Sequence, residues 1–295
     1  MALALAASVD RESGELPHEF KEFRTLRTSF EPELGALFFE LIGHPRPCFT
    51  PETLEELRTL QMLVRTYAQN AGPARPIRYL VGASGAPGGV NFGGDLEFFV
   101  RCLRRQDEFA LTGYAQMAVD LLYDNLIHLG VGITTVAVVR GPTLGAAFEA
   151  ALSCDVIFAE TDTRLGFPEV LFNLFPGMGA YPLLARRISP SLVERMILTG
   201  KQYSATQLYE LGVIDLVADG SDAPNSLRRF IQQMEKTSGT RAGVLALREL
   251  ENPITKEHLL AGIDIWVDAM LSVSDEQIAR MESLLRLQRH RNLDK

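Results

Sequence analysis

Uncharged apolar runs and amphipathic stretches follow one another along the chain. Short runs rich in β-branched residues predict buried strands, and longer stretches with apolar positions three and four residues apart predict helices. The predicted strands are 20–30, 34–42, 77–81, 133–139, 155–159 and 213–217. The predicted helices are one that begins after Thr50 as N-cap, then 109–129, 144–152, 255–271 and 275–291.

Strands separated by helices predict an α/β fold whose sheet is mainly parallel and joined by crossover connections. Residues 1–18 predict a flexible N-terminus, and residues 19–220 are predicted to form the core. Residues 221–295 predict a helical region without a sheet of its own. Such a region must bury its apolar face against the core or against a neighbouring subunit.

Composition and charge limit the class of protein. The chain has 295 residues, of which 46% are hydrophobic and 22% charged, as in soluble globular proteins. A net charge of −8 argues against a nucleic-acid partner, because nucleic-acid binders carry a basic excess. No apolar run reaches the roughly 18 residues that a membrane span needs, and the apolar opening lacks a basic flank. A cytoplasmic protein with no membrane contact is expected.

Metal and nucleotide signatures are missing from the sequence. The cysteines and histidines are scattered without the spacing of a zinc site, and neither a dinucleotide fingerprint nor a phosphate loop occurs. No cofactor and no metal are therefore expected. The residues concerned are Cys48, Cys102, Cys154, His18, His44, His128, His258 and His290.

The run Leu144-Gly-Ala-Ala-Phe-Glu follows a predicted buried strand and a Gly141-Pro142 turn. We expect a small-residue helix that begins near Thr143 as N-cap. The first N–H groups of a helix have no partner within it, and small side chains let a ligand approach them. Such donors can stabilise a developing oxyanion.

Two glutamates occupy apolar surroundings. Glu149 follows Phe148 in the small-residue helix, and Glu169 follows Pro168 in a long stretch without other charges. Taken alone, Glu149 could be a surface or ion-paired residue, and Glu169 a helix-start residue that interacts with the helix dipole. Paired in one apolar site, the two carboxylates would have raised pKa values and could divide acid and base roles.

A glycine-rich loop at 82–94 ends in Phe92-Gly-Gly-Asp-Leu. Together with the two glutamate segments, it resembles the crotonase (enoyl-CoA hydratase/isomerase) superfamily. Phe92-Gly-Gly-Asp-Leu is similar to the first oxyanion-hole segment of that family, and Leu144-Gly-Ala-Ala-Phe-Glu to the second. Pro168-Glu and Pro176-Gly-Met-Gly are similar to its later active-site stretch.

The resemblance implies a ββα spiral core and an acyl-thioester substrate carried by CoA or by acyl carrier protein. It also implies a homo-oligomer, a trimer or a hexamer. Carried onto this chain, Glu149 and Glu169 would be catalytic, and the N–H groups of Phe92 and Ala146 would hold the thioester oxygen. The implied substrate-binding residues are Gly93, Gly145, Gly177, Met178, Trp266, Leu284 and Leu285.

One branch is closer still, the diffusible-signal-factor synthases. The segments beginning at Phe148 and at Gly166, and Ile265-Trp-Val-Asp, resemble it. The branch implies dehydration of a medium-chain 3-hydroxyacyl group on acyl carrier protein, with release of a cis-2-unsaturated fatty acid as a quorum-sensing signal. It also implies a sensor kinase partner.

Two other functions remain open. One is ordinary enoyl-CoA hydration or isomerisation, which the same glutamates would serve. The other is a non-catalytic acyl-thioester-binding or regulatory protein, because Ala146 and Ala147 stand where the family usually has glycines. Their methyl groups predict a narrower or less active site. Arg101, Arg104 and Arg105 either meet an acidic carrier protein or form a solvated helix face.

Overall fold

The computed structural model describes residues 17–43, 46–71 and 76–293. Its main sheet has six strands in the order β1-β2-β3-β4-β6-β9. The β1–β2 pair is antiparallel and the other pairs are parallel. The strands are β1 Leu26–Glu31, β2 Ala36–Leu41, β3 Tyr79–Ser84, β4 Thr134–Val139, β6 Val156–Glu160 and β9 Leu216–Ala218.

A second, three-stranded sheet has the order β5-β7-β8. Its strands are β5 Pro142–Leu144, β7 Arg164–Gly166 and β8 Tyr203–Ser204. The parallel β5–β7 pair places Leu144 opposite Gly166. The helix Ala146–Leu152 follows β5, and Glu169 follows β7. The pairing of these two strands therefore brings the helix start and the Glu169 segment side by side.

Helices cover both sheets. In chain order they are α1 Pro51–Asn70, α2 Leu96–Arg105, α3 Glu108–Leu126, α4 Ala146–Leu152, α5 Ala180–Ala185, α6 Pro190–Thr199, α7 Ala205–Glu210, α8 Ala223–Lys236, α9 Ser238–Glu251, α10 Lys256–Leu271 and α11 Asp275–Leu293. Short 3-10 helices span His18–Lys21, Pro87–Gly89, His128–Gly130 and Pro168–Phe172. None of the helices in the described segments is long and apolar enough to cross a membrane.

The C-terminal helices pack on the core of the same chain. Ile263 and Met270 of α10 and Met281 of α11 belong to one buried cluster with residues of α3, α4 and α5. Arg104 of α2 pairs with Asp275 at 2.7 Å and with Glu282 at 3.1 Å, both on α11. These ion pairs link α11 to α2, so the Arg104 guanidinium already has partners within the chain.

The α/β arrangement with a C-terminal helical region is confirmed, whereas several local predictions need correction. The predicted strand 20–30 is partly a 3-10 helix, and β1 begins only at Leu26. The helix predicted over 144–152 begins at Ala146, because Thr143 is still paired in β5 and Gly145, with φ of 55°, takes the N-cap. Helix α2 was not predicted, and most of the N-terminal segment 1–18 lies outside the described residues. The proposed division at residue 220 stays a prediction.

Candidate active site

A cavity of about 350 Å³ lies between α4, the Pro168–Phe172 turn and the C-terminal helices. We call it the carboxylate cavity, because its largely apolar wall includes the side chains of Glu149 and Glu169. The structure thus brings the two glutamates of the sequence hypothesis into one enclosure.

Glu149 is fixed by backbone donors. Its Oε1 accepts hydrogen bonds from the N–H of Met178 at 2.8 Å and of Ala180 at 3.0 Å. The residue is only 1% exposed, and this burial raises the pKa of its carboxyl to about 7, although the N–H donors act in the opposite direction. Two backbone hydrogen bonds therefore stabilise the charged form of Glu149 although the residue is buried.

Glu169 has a different environment. It lies in the 3-10 turn after Pro168, and its Oε2 is enclosed without a hydrogen-bond partner among the described residues. Burial first, and then the nearby charge of Glu149, raise the pKa of Glu169 to about 8. Between these two pKa values the pair holds about one proton, and Glu169 is the residue that retains it more strongly.

Gly145, at the start of α4, lies against the carboxyl group of Glu169. Its N–H donates to the carbonyl of Gly166 at 2.9 Å, and its backbone has φ of 55°. A methyl group built on Gly145 would overlap Oε1 of Glu169. The glycine therefore allows the Glu169 carboxyl to lie directly against the backbone that precedes Ala146.

The N–H of Ala146 is the first donor of α4, and no hydrogen bond of the described residues uses it. The glycine-rich loop lies beside it: a methyl group on Gly93 would be 2.7 Å from the Ala146 nitrogen and 2.5 Å from the Leu144 carbonyl oxygen. Only a glycine permits this approach, and it brings the loop to the edge of the carboxylate cavity.

The N–H of Phe92, which the sequence predicts as an oxyanion donor, is already used within the protein. It donates to the carbonyl of Pro47 at 2.8 Å, and the N–H of Gly93 donates to Oδ1 of Asn91 at 2.9 Å. The next residue, Gly94, lines the cavity with Ala146, and its N–H is unused among the described hydrogen bonds. Gly94 and Ala146 therefore form the pair of free donors that the sequence hypothesis assigned to Phe92 and Ala146.

Tyr114 holds this donor loop in place, and sequence reasoning missed it. Its hydroxyl donates to the carbonyl of Phe49 at 2.6 Å and accepts from the N–H of Asp95 at 3.2 Å. Asp95 is also paired with Arg46 at 2.7 Å. A lone tyrosine in an amphipathic helix carries no sequence signal for such a role.

Most of the predicted acyl-binding side chains reach the cavity. Trp266 packs its indole directly over Gly177, where a methyl group would overlap the ring, and Met178 and Leu284 complete the same wall. Leu285 does not line this cavity. The helical rotation of α11 turns it into a separate small cleft beside Arg46 and Phe92. The substrate-binding roles of these residues stay predictions.

Within the described residues, no group of three or more His, Cys, Asp or Glu side chains is arranged to hold a metal ion. The chemistry available in the cavity is proton transfer between two carboxyl groups of raised pKa, beside two backbone donors. This combination suits an acyl compound that gains or loses a proton next to a carbonyl group.

The chain is similar to known proteins of one family. Residues 84–286 match the family model of enoyl-CoA hydratase/isomerase. The chain is 38% identical over 137 residues to an enoyl-CoA isomerase/hydratase of Mycosarcoma maydis, a match that covers 45% of this chain and 48% of that protein. It is 34% identical over 175 residues to the fatty acid oxidation complex subunit alpha of Vibrio cholerae, covering 59% of this chain and 23% of that protein.

Solved structures share the fold. An enoyl-CoA hydratase/isomerase from Xanthobacter autotrophicus superposes with a TM-score of 0.71 at 19% identity, over 90% of this chain and 94% of the other. An enoyl-CoA hydratase from Bacillus halodurans also gives 0.71, at 17% identity, over 88% and 100%. The family match covers more than half of the chain, so the chain belongs to the enoyl-CoA hydratase/isomerase family.

Proposed function

We propose that the chain catalyses the reversible addition of water to the C2–C3 double bond of a 2-enoyl thioester. The observation that carries this proposal is the carboxylate cavity, in which Glu149 and Glu169 face one apolar space beside the free N–H groups of Gly94 and Ala146. The family membership supports the same class of reaction.

In the hydration direction, the thioester oxygen accepts hydrogen bonds from the N–H groups of Gly94 and Ala146. Ionised Glu149 takes a proton from water as the water oxygen bonds to C3. Protonated Glu169 gives its proton to C2, and the electron pair of the double bond forms the new C–H bond. The pair starts and ends with one proton in total, so dehydration follows the same path in reverse.

The backbone donors and the carboxyl groups are expected to make contributions of similar size to the rate. Loss of one oxyanion donor typically costs roughly 3–4 kcal/mol of transition-state stabilisation. A positioned general acid or base typically accelerates a step by about 10²–10⁴-fold. Because each N–H belongs to the backbone, side-chain substitution tests the carboxyl groups more directly.

A second candidate is dehydration of a 3-hydroxyacyl group on acyl carrier protein, followed by thioester hydrolysis to a free cis-2-unsaturated acid. One observation favours it: the segments that resemble the diffusible-signal-factor synthases supply Met178 and Trp266 to the cavity wall. The sensor kinase and the homo-oligomer remain predictions attached to this candidate and to the family.

Turnover of two substrates tests both candidates. Purified protein is incubated with a medium-chain trans-2-enoyl-CoA and, separately, with a medium-chain 3-hydroxyacyl-carrier protein, and the products are analysed by mass spectrometry. Glu149→Gln and Glu169→Gln are compared with Glu210→Gln, which alters an exposed carboxylate on α7. Loss of hydration in both cavity variants but not in Glu210→Gln supports the main proposal.

Free cis-2-enoic acid from the carrier-protein substrate supports the second candidate instead. If the folded wild-type protein turns over neither substrate, both candidates are wrong and the non-catalytic binding role takes their place. A thermal melt of each variant separates lost chemistry from lost folding.

A further inference from the structure

A second cavity lies behind helix α4, between the main sheet and helices α1 and α3. It measures about 130 Å³, and we call it the inner cavity. Cavities of about 150 Å³ with aliphatic walls bind a molecule the size of benzene. The inner cavity is therefore large enough for several methylene groups. Its walls include Leu54, Leu57, Leu80, Ala118 and Leu121.

The inner cavity and the carboxylate cavity share part of their walls. Tyr114, Ala146 and Met178 line both. Helix α4 separates the two spaces: Glu149 lines the carboxylate cavity, whereas Ala147, on the other side of the helix, lines the inner cavity. A chain of methylene groups that begins at the Ala146 N–H therefore starts at the boundary between the two cavities.

Met178 is the adjustable part of this boundary. Its backbone is anchored, since its N–H donates to Oε1 of Glu149 at 2.8 Å. Its side chain is unbranched and can adopt several rotamers at small cost. Rotation of the thioether therefore changes the wall that the two cavities share, without moving the Glu149 carboxylate.

The walls of the inner cavity suit an uncharged aliphatic ligand. Arg140 is the one charged side chain among the described residues that line it, and it is paired with Glu40 at 3.1 Å. The Gln61 amide donates to the carbonyl of Leu121 at 3.1 Å and to Oδ1 of Asn125 at 2.9 Å. Its N–H groups are thus already used within the wall, whereas its Oε1 and the Nε of Arg140 have no hydrogen-bond partner among the described residues.

We propose that the inner cavity receives the distal end of the substrate's acyl chain and so determines which chain lengths are accepted. The proposal rests on the proposed function, since it takes the ligand to be an acyl thioester held at Ala146. A short chain ends within the carboxylate cavity, and a longer chain passes Met178 into the inner cavity. Residues of α1 and α3 that do not contact the reacting atoms then control specificity.

Two substitutions test this in opposite directions. Ala118→Leu fills the inner cavity from α3, and Leu121→Ala enlarges it from the same helix. Neither residue lines the carboxylate cavity. Binding of butanoyl-, octanoyl- and dodecanoyl-CoA is measured by calorimetry with each variant. These saturated thioesters cannot be hydrated, so the measurement does not depend on turnover.

We expect Ala118→Leu to weaken octanoyl-CoA binding by about tenfold or more and to leave butanoyl-CoA binding unchanged. Gain or loss of a methylene group in an apolar pocket typically changes binding by this factor. Leu121→Ala should strengthen dodecanoyl-CoA binding relative to octanoyl-CoA. Opposite shifts of the chain-length preference cannot arise from general loss of folding, and unchanged butanoyl-CoA binding shows that the site near Ala146 is intact.

The proposal is overturned if both folded variants keep the wild-type chain-length preference. It is also overturned if Ala118→Leu weakens all three thioesters equally. Hydration of crotonyl-CoA, a short substrate, is measured in parallel. If the wild-type protein does not hydrate crotonyl-CoA, the proposed function is wrong. The binding measurements would still decide the role of the inner cavity.

Discussion

Gly145 and Glu169 are in direct contact, although α4, β6 and β7 fall within the intervening chain. The carboxyl oxygen Oε1 of Glu169 lies where a side chain at position 145 would begin. The β5–β7 pairing places Leu144 opposite Gly166, so the glycine and the turn that carries Glu169 emerge from adjacent strands. The position of the carboxyl group therefore depends on the absence of a single methyl group.

Gly145→Ala should disable the site. The new methyl group would displace the Glu169 carboxyl, and φ of 55° is strained for alanine. We expect hydration to fall by about 10²-fold or more, since proton transfer by a positioned carboxyl contributes that much. Gly113→Ala on α3 is the control, because its methyl group would enter open space. The measurement is steady-state kinetics. If Gly145→Ala has wild-type activity, catalysis does not require the contact between Gly145 and Glu169.

The pH profile of the hydration rate should have the shape of a narrow bell. The proposed mechanism of hydration requires ionised Glu149, whose pKa is about 7, and protonated Glu169, whose pKa is about 8. The rate should thus rise as pH approaches 7 and fall above 8. We would measure kcat/KM for a trans-2-enoyl-CoA across this interval. A profile that is flat through both values would rule out this division of roles.

Glu169→Gln should stabilise the protein in alkaline solution. The pKa of Glu169 is about 8 in the folded state against a reference of 4.5, so the native state keeps a proton that the unfolded chain releases. The stability of the wild-type protein therefore decreases as pH rises from 4.5 through 8. Above that pH the penalty for a desolvated carboxylate whose Oε2 has no hydrogen-bond partner among the described residues is complete, and glutamine removes it.

We expect the free energy of unfolding of Glu169→Gln to exceed the wild-type value by about 5 kcal/mol well above pH 8, and to equal it in acid. Urea titrations at the two ends of this range measure the difference. Glu210→Gln, which changes an exposed carboxylate, should show none. Equal stability of wild type and Glu169→Gln in alkali would mean that the Glu169 carboxyl is better solvated than its enclosure indicates.

Tyr114→Phe should lower kcat more than it changes KM. The ring would keep its contacts with Phe98 and Phe99, whose centroids lie 5.1 and 5.0 Å away. The hydroxyl that links Phe49 to Asp95 would be lost, and the Gly94 N–H would no longer be held in position. We expect kcat to fall by about tenfold and the free energy of unfolding by about 1 kcal/mol.

Tyr209→Phe on α7 removes a hydroxyl from an exposed tyrosine and is the matched control. A fall in stability without any change in kcat would assign Tyr114 to packing alone. A fall in kcat of the fully folded variant would identify Tyr114 as a positioning residue of the donor loop.

Much of the local structure follows from short segments of sequence. Thr50 caps α1 and Thr255 caps α10 through their side chains, as their positions before amphipathic runs indicate. Glu149 and Glu169 stand out because charged residues are costly among apolar neighbours. These features depend on residues within one or two turns, so the sequence alone reveals them.

The donors of the candidate oxyanion site were decided by contacts between distant segments. Phe92 and Gly94 are neighbours in one loop, and only the approach of Pro47 shows that the Phe92 N–H is occupied. The same holds for Tyr114, whose hydroxyl matters because Phe49 and Asp95 come to it from separate parts of the chain.

The sequence by itself determined the fold class, the family resemblance and the two glutamates, because residue type and periodicity carry that information locally. Only the tertiary structure decided which N–H groups remain free and that Leu285 faces away from the carboxylate cavity. It also decided which glutamate has backbone partners. The physical reason is that hydrogen bonding and desolvation depend on atoms within a few ångströms in space, and those atoms come from residues far apart in the chain.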